Sequence, residues 1–376
     1  MTGAAAVFVL NAGSSSLKYQ LVDPGTGQVH TAGTIERIGE SGGVPDHDAA
    51  VRRALKAIEG QPEPAACGHR VVHGGDRFDA ATLIDDGVVQ AIDDLSALAP
   101  LHNPANLEGI RAARAALPDI PHVAVFDTAF HRTIPAAAAT YAIDRELAER
   151  YQVRRYGFHG TSHQYVSRAA AEFLGIPLER SKIIVLHLGN GASACAVDGG
   201  RSIETSMGMT PLEGLVMGTR SGDIDPAALF HLHRQAGLGF DELETLLNRG
   251  SGLKGLTGSG DMRDVQAAAA AGDERAEAAL AVYRHRIRRY IGAYTAHLGG
   301  LDAVVFTAGV GENNSLLRRR TIAGLEHLGI AVDPDRNEVP SKSARRISPD
   351  GSPVAVLVVP TNEELEMARQ TAAVLA

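Results

Sequence analysis

The chain has 376 residues, 44% of them hydrophobic and 21% charged, which suits a folded globular protein too long for one ordinary core, so two domains are expected. A formal net charge of −8 argues against nucleic acid or an anionic membrane as the main partner. The only cysteines, Cys67 and Cys195, give neither a disulfide framework nor a zinc-ligand spacing, no apolar run reaches the ~18 residues of a membrane span, and the opening MTGAAAVFVL has no basic leader, so a soluble cytoplasmic protein is expected.

In chain order, VFVLNAGSSSLKYQLVD (7–23) comes first, an apolar strand interrupted by small hydroxyls and Lys18. Two readings stand: a hairpin with a polar turn, or a phosphate cradle in which small side chains admit an anion and Lys18 neutralises it. HRVVHGG (69–75), HVAVFDTAF (122–130), KIIVLHLGNG (182–191), LDAVVFTAGVGEN (301–313) and PVAVLVVPTNEE (353–364) each end an apolar run in glycine or polar residues. Between them lie helical patterns: DAAVRRALKAIE, NPANLEGIRAARAAL, PAALFHLHRQAG and a long run from about 263 to 299. The alternation predicts an α/β protein with polar residues gathered at the carboxyl ends of strands.

VLNAGSSSL (9–17) and HLGNGASAC (187–195) superpose on Gly13 and Gly191, a weak internal repeat that suggests two similar halves. LGNGASA has the spacing of a dinucleotide fingerprint, but the alternating ACAVDGGRSIET follows it, so these glycines are expected to join two strands rather than open a helix. No Gly-Lys pair occurs, which excludes a Walker A loop. GVGENNSLL (309–317) reads as a strand ending in glycines, followed by a helix capped by Asn or Ser whose first amides suit a nucleotide or its phosphates.

Taken together, HRVVHGG, FDTAFH, YGFHGTSH, HLGNG, PLEGLVMGTRSGDIDP, FTAGVGEN and PTNEE resemble the acetokinase family, within the superfamily of acetate and sugar kinases, Hsp70 and actin, over about residues 7–370. The resemblance implies two actin-like (ribonuclease H-like) lobes related by duplication and flanking a nucleotide cleft. The first would be 1–129 plus 363–376; the second, 130–362, would carry the nucleotide site and the interface of a homodimer. It implies reversible phosphoryl transfer between ATP and acetate, giving ADP and acetyl phosphate, with magnesium, or manganese in its place. Neither nucleic acid nor membrane is an expected partner.

The same resemblance assigns residues. Arg70, Asp127, His159 and Arg220 are the expected catalytic residues, and Arg70, Val72, Leu101, Phe158 and Pro211 are expected to hold acetate. A planar, permanently charged guanidinium suits both acetate and a moving phosphoryl group. Asp127 is expected to orient an arginine or a metal-bound water, since acetate is already ionised and needs no base. Nucleotide contacts are expected from Ser14, Ser16 and Lys18 in the first lobe, and in the second from His187, Leu188, Gly189, Asn190 and Gly191, from Asp261, Met262 and Arg263, and from Gly309, Val310, Gly311, Glu312 and Asn313. Asn11 and Glu363 match the magnesium positions. His159 and His163 have zinc-like spacing, but without an intervening Glu or a third ligand metal binding there is not expected.

Three departures from the family pattern stand out: Asp76 replaces the usual Glu near Arg70, Gly260 replaces a Ser or Thr in a shortened 255–264 loop, and the chain is trimmed around 36–50. The alternatives are a propionate or other short-chain fatty acid kinase and a non-catalytic actin-like nucleotide-binding module.

Overall fold

The structure is a computed structural model that describes residues 6–13, 15–100 and 102–376. The chain divides into two compact units, one comprising residues up to Arg132 with Phe158–Tyr165 and Asn362–Ala376, the other Thr133–Gly157 and Val166–Thr361.

The first unit is built on β1 (Val7–Ala12), β2 (Ser16–Val22), β3 (Val29–Glu36), β4 (Ala66–Val71), β5 (Thr82–Leu83) and β6 (His122–Phe126), in the order β3-β2-β1-β4-β6-β5. The first three strands form an antiparallel meander, β1, β4 and β6 run parallel, and β5 is antiparallel to β6. Successive side chains of a strand point to opposite faces, and a parallel strand covered on both faces reads as a continuous apolar run. This accounts for VFVL: Phe8 and Leu10 pack with Ala50, Val51 and Ala54 of helix His47–Ala57 and with Ala112 and Ala113 of helix Asn103–Ala116. Val7 and Val9 face the opposite way, onto Leu365, Met367 and Ala368 of helix Glu363–Val374. Asp46 starts helix His47–Ala57 by accepting from the Ala49 amide at 2.8 Å.

The second unit repeats this plan. Its strands β7 (Lys182–Leu188), β8 (Ala192–Asp198), β9 (Arg201–Thr205), β10 (Ala303–Thr307), β11 (Arg345–Arg346) and β12 (Ala355–Val358) lie in the order β9-β8-β7-β10-β12-β11, with the same parallel and antiparallel pairings position by position. The second hairpin of each sheet even breaks register at a similar place, between Leu21 and Val22 and between Ala196 and Val197. The repeat read from the sequence is thus a duplicated topology, although its register is adjusted. Gly13 and Gly189 each open the turn of the first hairpin and donate back across it, to Ser16 and Gly191, so Gly13 corresponds to Gly189 rather than Gly191. As expected, LGNG joins two antiparallel strands and opens no helix.

Two helical expectations are corrected. The run from about 263 to 299 is two helices, Met262–Ala270 and Glu274–Leu298, because Asp273 caps the second by accepting from the amides of Arg275 and Ala276. Tyr283, Ile287, Ile291, Tyr294 and Leu298 recur every three or four residues and form the buried stripe of that second helix. The glycines of GVGEN do not precede a helix but lie within the short helix Ala308–Asn313; the next helix, Ser315–Ile322, is capped by Asn314, which accepts from the Leu317 amide at 2.9 Å.

Candidate active site

In the first unit the carboxyl ends of β1, β4 and β6 bring Asn11, Arg70 and Asp127 together. The Arg70 Nε donates to both Asp127 oxygens at 3.0 and 3.1 Å, a terminal nitrogen donates to Asp127 Oδ2 at 2.5 Å, and the other donates to Asn11 Oδ1 at 3.2 Å. Asp127 is 1% exposed, so its charge is tolerable only because the fork of Arg70 meets it in two-point geometry. Burial pushes the Asp127 carboxyl above its ordinary value, Arg70 pulls it back and Glu363 raises it further. Burial likewise disfavours the Arg70 charge, but Asp127 outweighs it and the guanidinium ends above its ordinary value. The side-chain contacts the structure gives Asp127 are thus those to Arg70.

Glu363 begins the C-terminal helix and accepts from Thr161 Oγ1 at 3.3 Å. Its neighbour Glu364, 8% exposed, is ion-paired with Lys18, which stands opposite Asn11 across the hairpin. Lys18 is thus already neutralised, which the sequence did not suggest. Asp76 is ion-paired with Arg132. The carboxylates of Asp127, Glu363 and Glu364 outnumber the cations Arg70 and Lys18 in this cluster. That excess of hard oxygen donors fits a divalent cation of the magnesium type.

GFHGTSH is tied to Asp127 through the backbone. The Gly160 amide donates to the Asp127 carbonyl at 2.9 Å, and a Cβ on Gly160 would sit 2.2 Å from that oxygen, so no other residue allows this approach. The preceding residue, His159, lies in the left-handed region at φ +57, the kind of non-glycine strain that clusters at functional sites. Phe158, 2% exposed, stacks edge-on with His73, and its carbonyl meets His131 Nε2 at 2.9 Å. Val72 is 5% exposed. Ser16 starts β2 beside the turn, while Ser14 and Leu101 lie outside the described residues.

Sequence reasoning missed the residues that brace these positions. The Asn106 side chain donates to the Ala12 carbonyl at 2.6 Å and accepts from the Val72 amide at 3.0 Å, and Asn103 bonds both the amide and the carbonyl of His73. Both asparagines are buried, on a helix whose first turn carries a proline; a polar pair on the apolar stripe was the available signal.

The second unit holds a cavity of about 870 Å³. Of the expected nucleotide residues, Gly189, Asn190, Asp261, Met262 and Arg263 line it, as do Gly309, Val310 and Asn313. Leu188 is fully buried in the sheet, Gly191 closes the hairpin turn, Gly311 packs inside the short helix, and none of these three lines the cavity. His187, 7% exposed at the end of β7, turns Nε2 to within 3.8 Å of where a Gly189 Cβ would stand. Glu312 also turns inward: its carboxylate accepts from the amides of Ala308 at 2.8 Å and Thr361 at 3.1 Å, holding Ala308 at φ +63. Asp261 accepts from Arg263 in side-chain and backbone bonds that lower its carboxyl to about 2, so it stays ionised. Gly260 of the shortened loop and the 314–316 helix start also line it, as do Gly218, Leu253, Gln266 and Tyr283, which were not foreseen. A Cβ on Gly218 would lie 2.3 Å from Asn190 Oδ1 and 2.8 Å from the Gly260 carbonyl, so these backbones pack directly together.

Arg220 belongs to the same unit, on a loop stapled by Asp223, whose carboxylate accepts from the Gly214 amide at 2.9 Å and from Tyr290 at 3.1 Å. Its guanidinium donates to the Pro211 carbonyl at 3.1 Å and touches Met217 sulfur, and among the described residues no carboxylate pairs with it. Burial lowers its pKa from the ordinary value, yet a guanidinium remains charged at neutral pH. A half-buried, uncompensated cation of this kind favours an anionic ligand.

Residues 6–369 match the family model described as the acetokinase family. The chain belongs to the acetokinase family. Among its family relatives, the acetate kinase of Clavibacter michiganensis subsp. michiganensis is 64% identical over 98% of this chain and 99% of its own length. The acetate kinase of Streptomyces coelicolor is 55% identical, over 98% of this chain and 97% of that one. The crystal structure of Porphyromonas gingivalis acetate kinase superposes with a TM-score of 0.94 at 42% identity, covering 99% of this chain and 100% of that one. A propionate kinase from Francisella tularensis subsp. tularensis gives a TM-score of 0.92 at 41% identity, with 98% and 99% covered. The actin-like α/β fold expected of this family holds, with one six-stranded sheet in each unit.

Proposed function

We propose that this acetokinase-family protein is an acetate kinase, transferring the γ-phosphoryl group of ATP to acetate and, in reverse, that of acetyl phosphate to ADP. The observation that carries the reading is Arg220, a half-buried guanidinium without a carboxylate partner among the described residues, in the unit that also encloses a glycine-lined cavity large enough for a nucleotide. An acetate oxygen forms a bond to the γ-phosphorus while the bond from that phosphorus to the ADP oxygen breaks. Acetate is ionised at neutral pH, so no proton has to move. Catalysis then consists of positioning and charge stabilisation. Arg70, aimed by Asp127, binds the acetate carboxylate; Arg220 and His159 donate to the phosphoryl oxygens as charge spreads over them. Ser14, Ser16 and Lys18 and the cavity residues hold the nucleotide.

Asn11 and Glu363 would hold magnesium, or manganese, which when bound neutralises charge on the phosphate oxygens. Glu363→Ala should raise the magnesium concentration for half activity, and Asn11→Ala should act in the same direction; unchanged magnesium dependence in both would place the metal elsewhere. The protein works as a cytoplasmic homodimer joined through its second unit, where Phe230 and Phe240 are 56% and 80% exposed. No helix among the described residues is long and apolar enough to cross a membrane.

Acetate-dependent release of ADP from ATP tests the activity directly. ATP binding without acetate-dependent turnover would favour a non-catalytic nucleotide-binding module. The choice between acetate and propionate is tested at Val72, one of the positions expected to hold acetate. Each methylene a pocket can accommodate contributes about 0.8 kcal/mol. Val72→Ala should therefore shift kcat/KM toward propionate relative to acetate by up to about tenfold, equivalent to about 1.4 kcal/mol. A destabilised variant with an unaltered ratio would make Val72 plain core.

A further inference from the structure

On the face of β4 and β6 opposite to that of Arg70, three metal-ligating side chains meet in the core of the first unit. Cys67 Sγ and ring nitrogens of His69 and His122 all lie within 4.8 Å of one another. No spacing in the sequence marks the cluster, because Cys67 and His69 share one face of β4 while His122 is the register partner of Cys67 on β6. All three are buried: Cys67 is 0% exposed, His69 2% and His122 5%.

The hydrogen bonds orient the donors inward. His122 Nε2 lies 2.9 Å from the Leu117 carbonyl, which can only accept, so this nitrogen carries the proton and Nδ1 presents its lone pair to the cluster. His69 Nε2, 2.9 Å away, supplies the proton that fills that lone pair. Burial keeps both imidazoles neutral, and Arg114, itself bonded to Asp86 at 3.0 Å, disfavours their protonation further. The Cys67 thiol is pushed up by the same burial and stays protonated while no ion is bound.

We propose that Cys67, His69 and His122 form a closed, three-coordinate site for a soft monovalent cation, Cu(I). Binding replaces the proton shared by the two rings: His69 shifts its own proton from Nε2 to Nδ1, and Cys67 releases its thiol proton to solvent. One thiolate and one monovalent cation leave the buried site at zero net charge, as it was before. A divalent ion would leave a net positive charge in an apolar core that already faces Arg114. Zinc also takes four ligands, whereas thiolate and imidazole suit Cu(I) and the cluster supplies three. The site adjoins the Leu117–Pro121 connection, and Pro121 accepts from the Cys67 amide, so local opening of this connection admits the ion.

The test uses the intact, reduced protein under anaerobic conditions, with Cu(I) buffered by bicinchoninate. Wild type and Cys195→Ala should each withhold one equivalent from the chelator, and X-ray absorption at the copper edge should show one sulfur and two nitrogens. Cys67→Ala should lose this binding. His122→Asn, which removes one of the three ligands and leaves the core thiol in place, should weaken it by more than about a hundredfold, the upper range for loss of an outer-shell partner. Cu(I) should also raise the unfolding temperature of wild type but not of Cys67→Ala. Failure of wild type to compete with the chelator, equal retention by Cys67→Ala or His122→Asn, loss in Cys195→Ala, or displacement of Cu(I) by Zn²⁺ would each overturn the proposal. No outcome depends on the kinase reading.

Discussion

Replacing Arg220 with alanine should lower kcat by about a thousandfold or more, the range seen when an arginine that stabilises a transferring phosphoryl group is removed. The fold should survive, because among the described residues the guanidinium makes one bond to a backbone oxygen, that of Pro211, and one sulfur contact, while the loop around it is held by Asp223, Arg286 and Tyr290. Unfolding stability should therefore change by about 1 kcal/mol or less. Arg220→Lys should recover only a small part of the rate. Lysine keeps the charge but presents a point donor in place of a planar fork, and two-point recognition of phosphoryl oxygens depends on the fork. The measurement is kcat at saturating ATP and acetate for both variants, together with thermal unfolding. Near wild-type turnover in Arg220→Lys would reduce the role of Arg220 to long-range charge. A collapsed melting temperature in Arg220→Ala would make it a structural group.

The strands were legible because parallel strands covered on both faces must be apolar throughout, and VFVL, VAVF, IIVL and AVVF are. The duplication was legible only faintly, since a shared topology requires no shared side chains beyond the small residues of the two hairpin turns. Other features depend on partners far away in sequence. Nothing near Lys18 shows that Glu364 will neutralise it, and nothing near Arg70 shows that Asp76 will turn to Arg132. The start of helix Ala308–Asn313 was misplaced because glycines read as a loop, whereas here Glu312 satisfies the first amide of the helix and that of Thr361. Asn103 and Asn106 were overlooked because a search for apolar periodicity passes over polar residues on the stripe, although buried amides at a helix start can bond two loops at once. Motif chemistry made Arg70, Asp127 and Asp261 stand out in the sequence, whereas a position where one backbone packs against another, such as Gly218, left no such signal.

Asp127→Asn should produce the second large effect, on stability and rate together. Asp127 receives three bonds from Arg70 and is buried, so the neutral amide leaves a largely buried guanidinium without its counter-charge. Breaking a buried pair from one side typically costs about 3–5 kcal/mol; with the Arg70 side chain 22% exposed, the lower end, about 3 kcal/mol, is expected here. An Arg70 no longer aimed at acetate should also lower kcat/KM for acetate by about a hundredfold, as a small misplacement of a positioning group does. The pH dependence separates this from a proton-transfer role. A general base at Asp127 would give wild type an acidic limb in kcat that vanishes in Asp127→Asn. A positioning residue predicts a profile lowered at every pH, with its shape kept over the range where acetate is ionised. Double replacement supplies a further check. In Arg70→Met with Asp127→Leu the charge pair is gone, so stability should recover part of what Asp127→Asn loses, while activity stays low. If the double variant were no more stable than Asp127→Asn, the loss would not come from an unpaired Arg70.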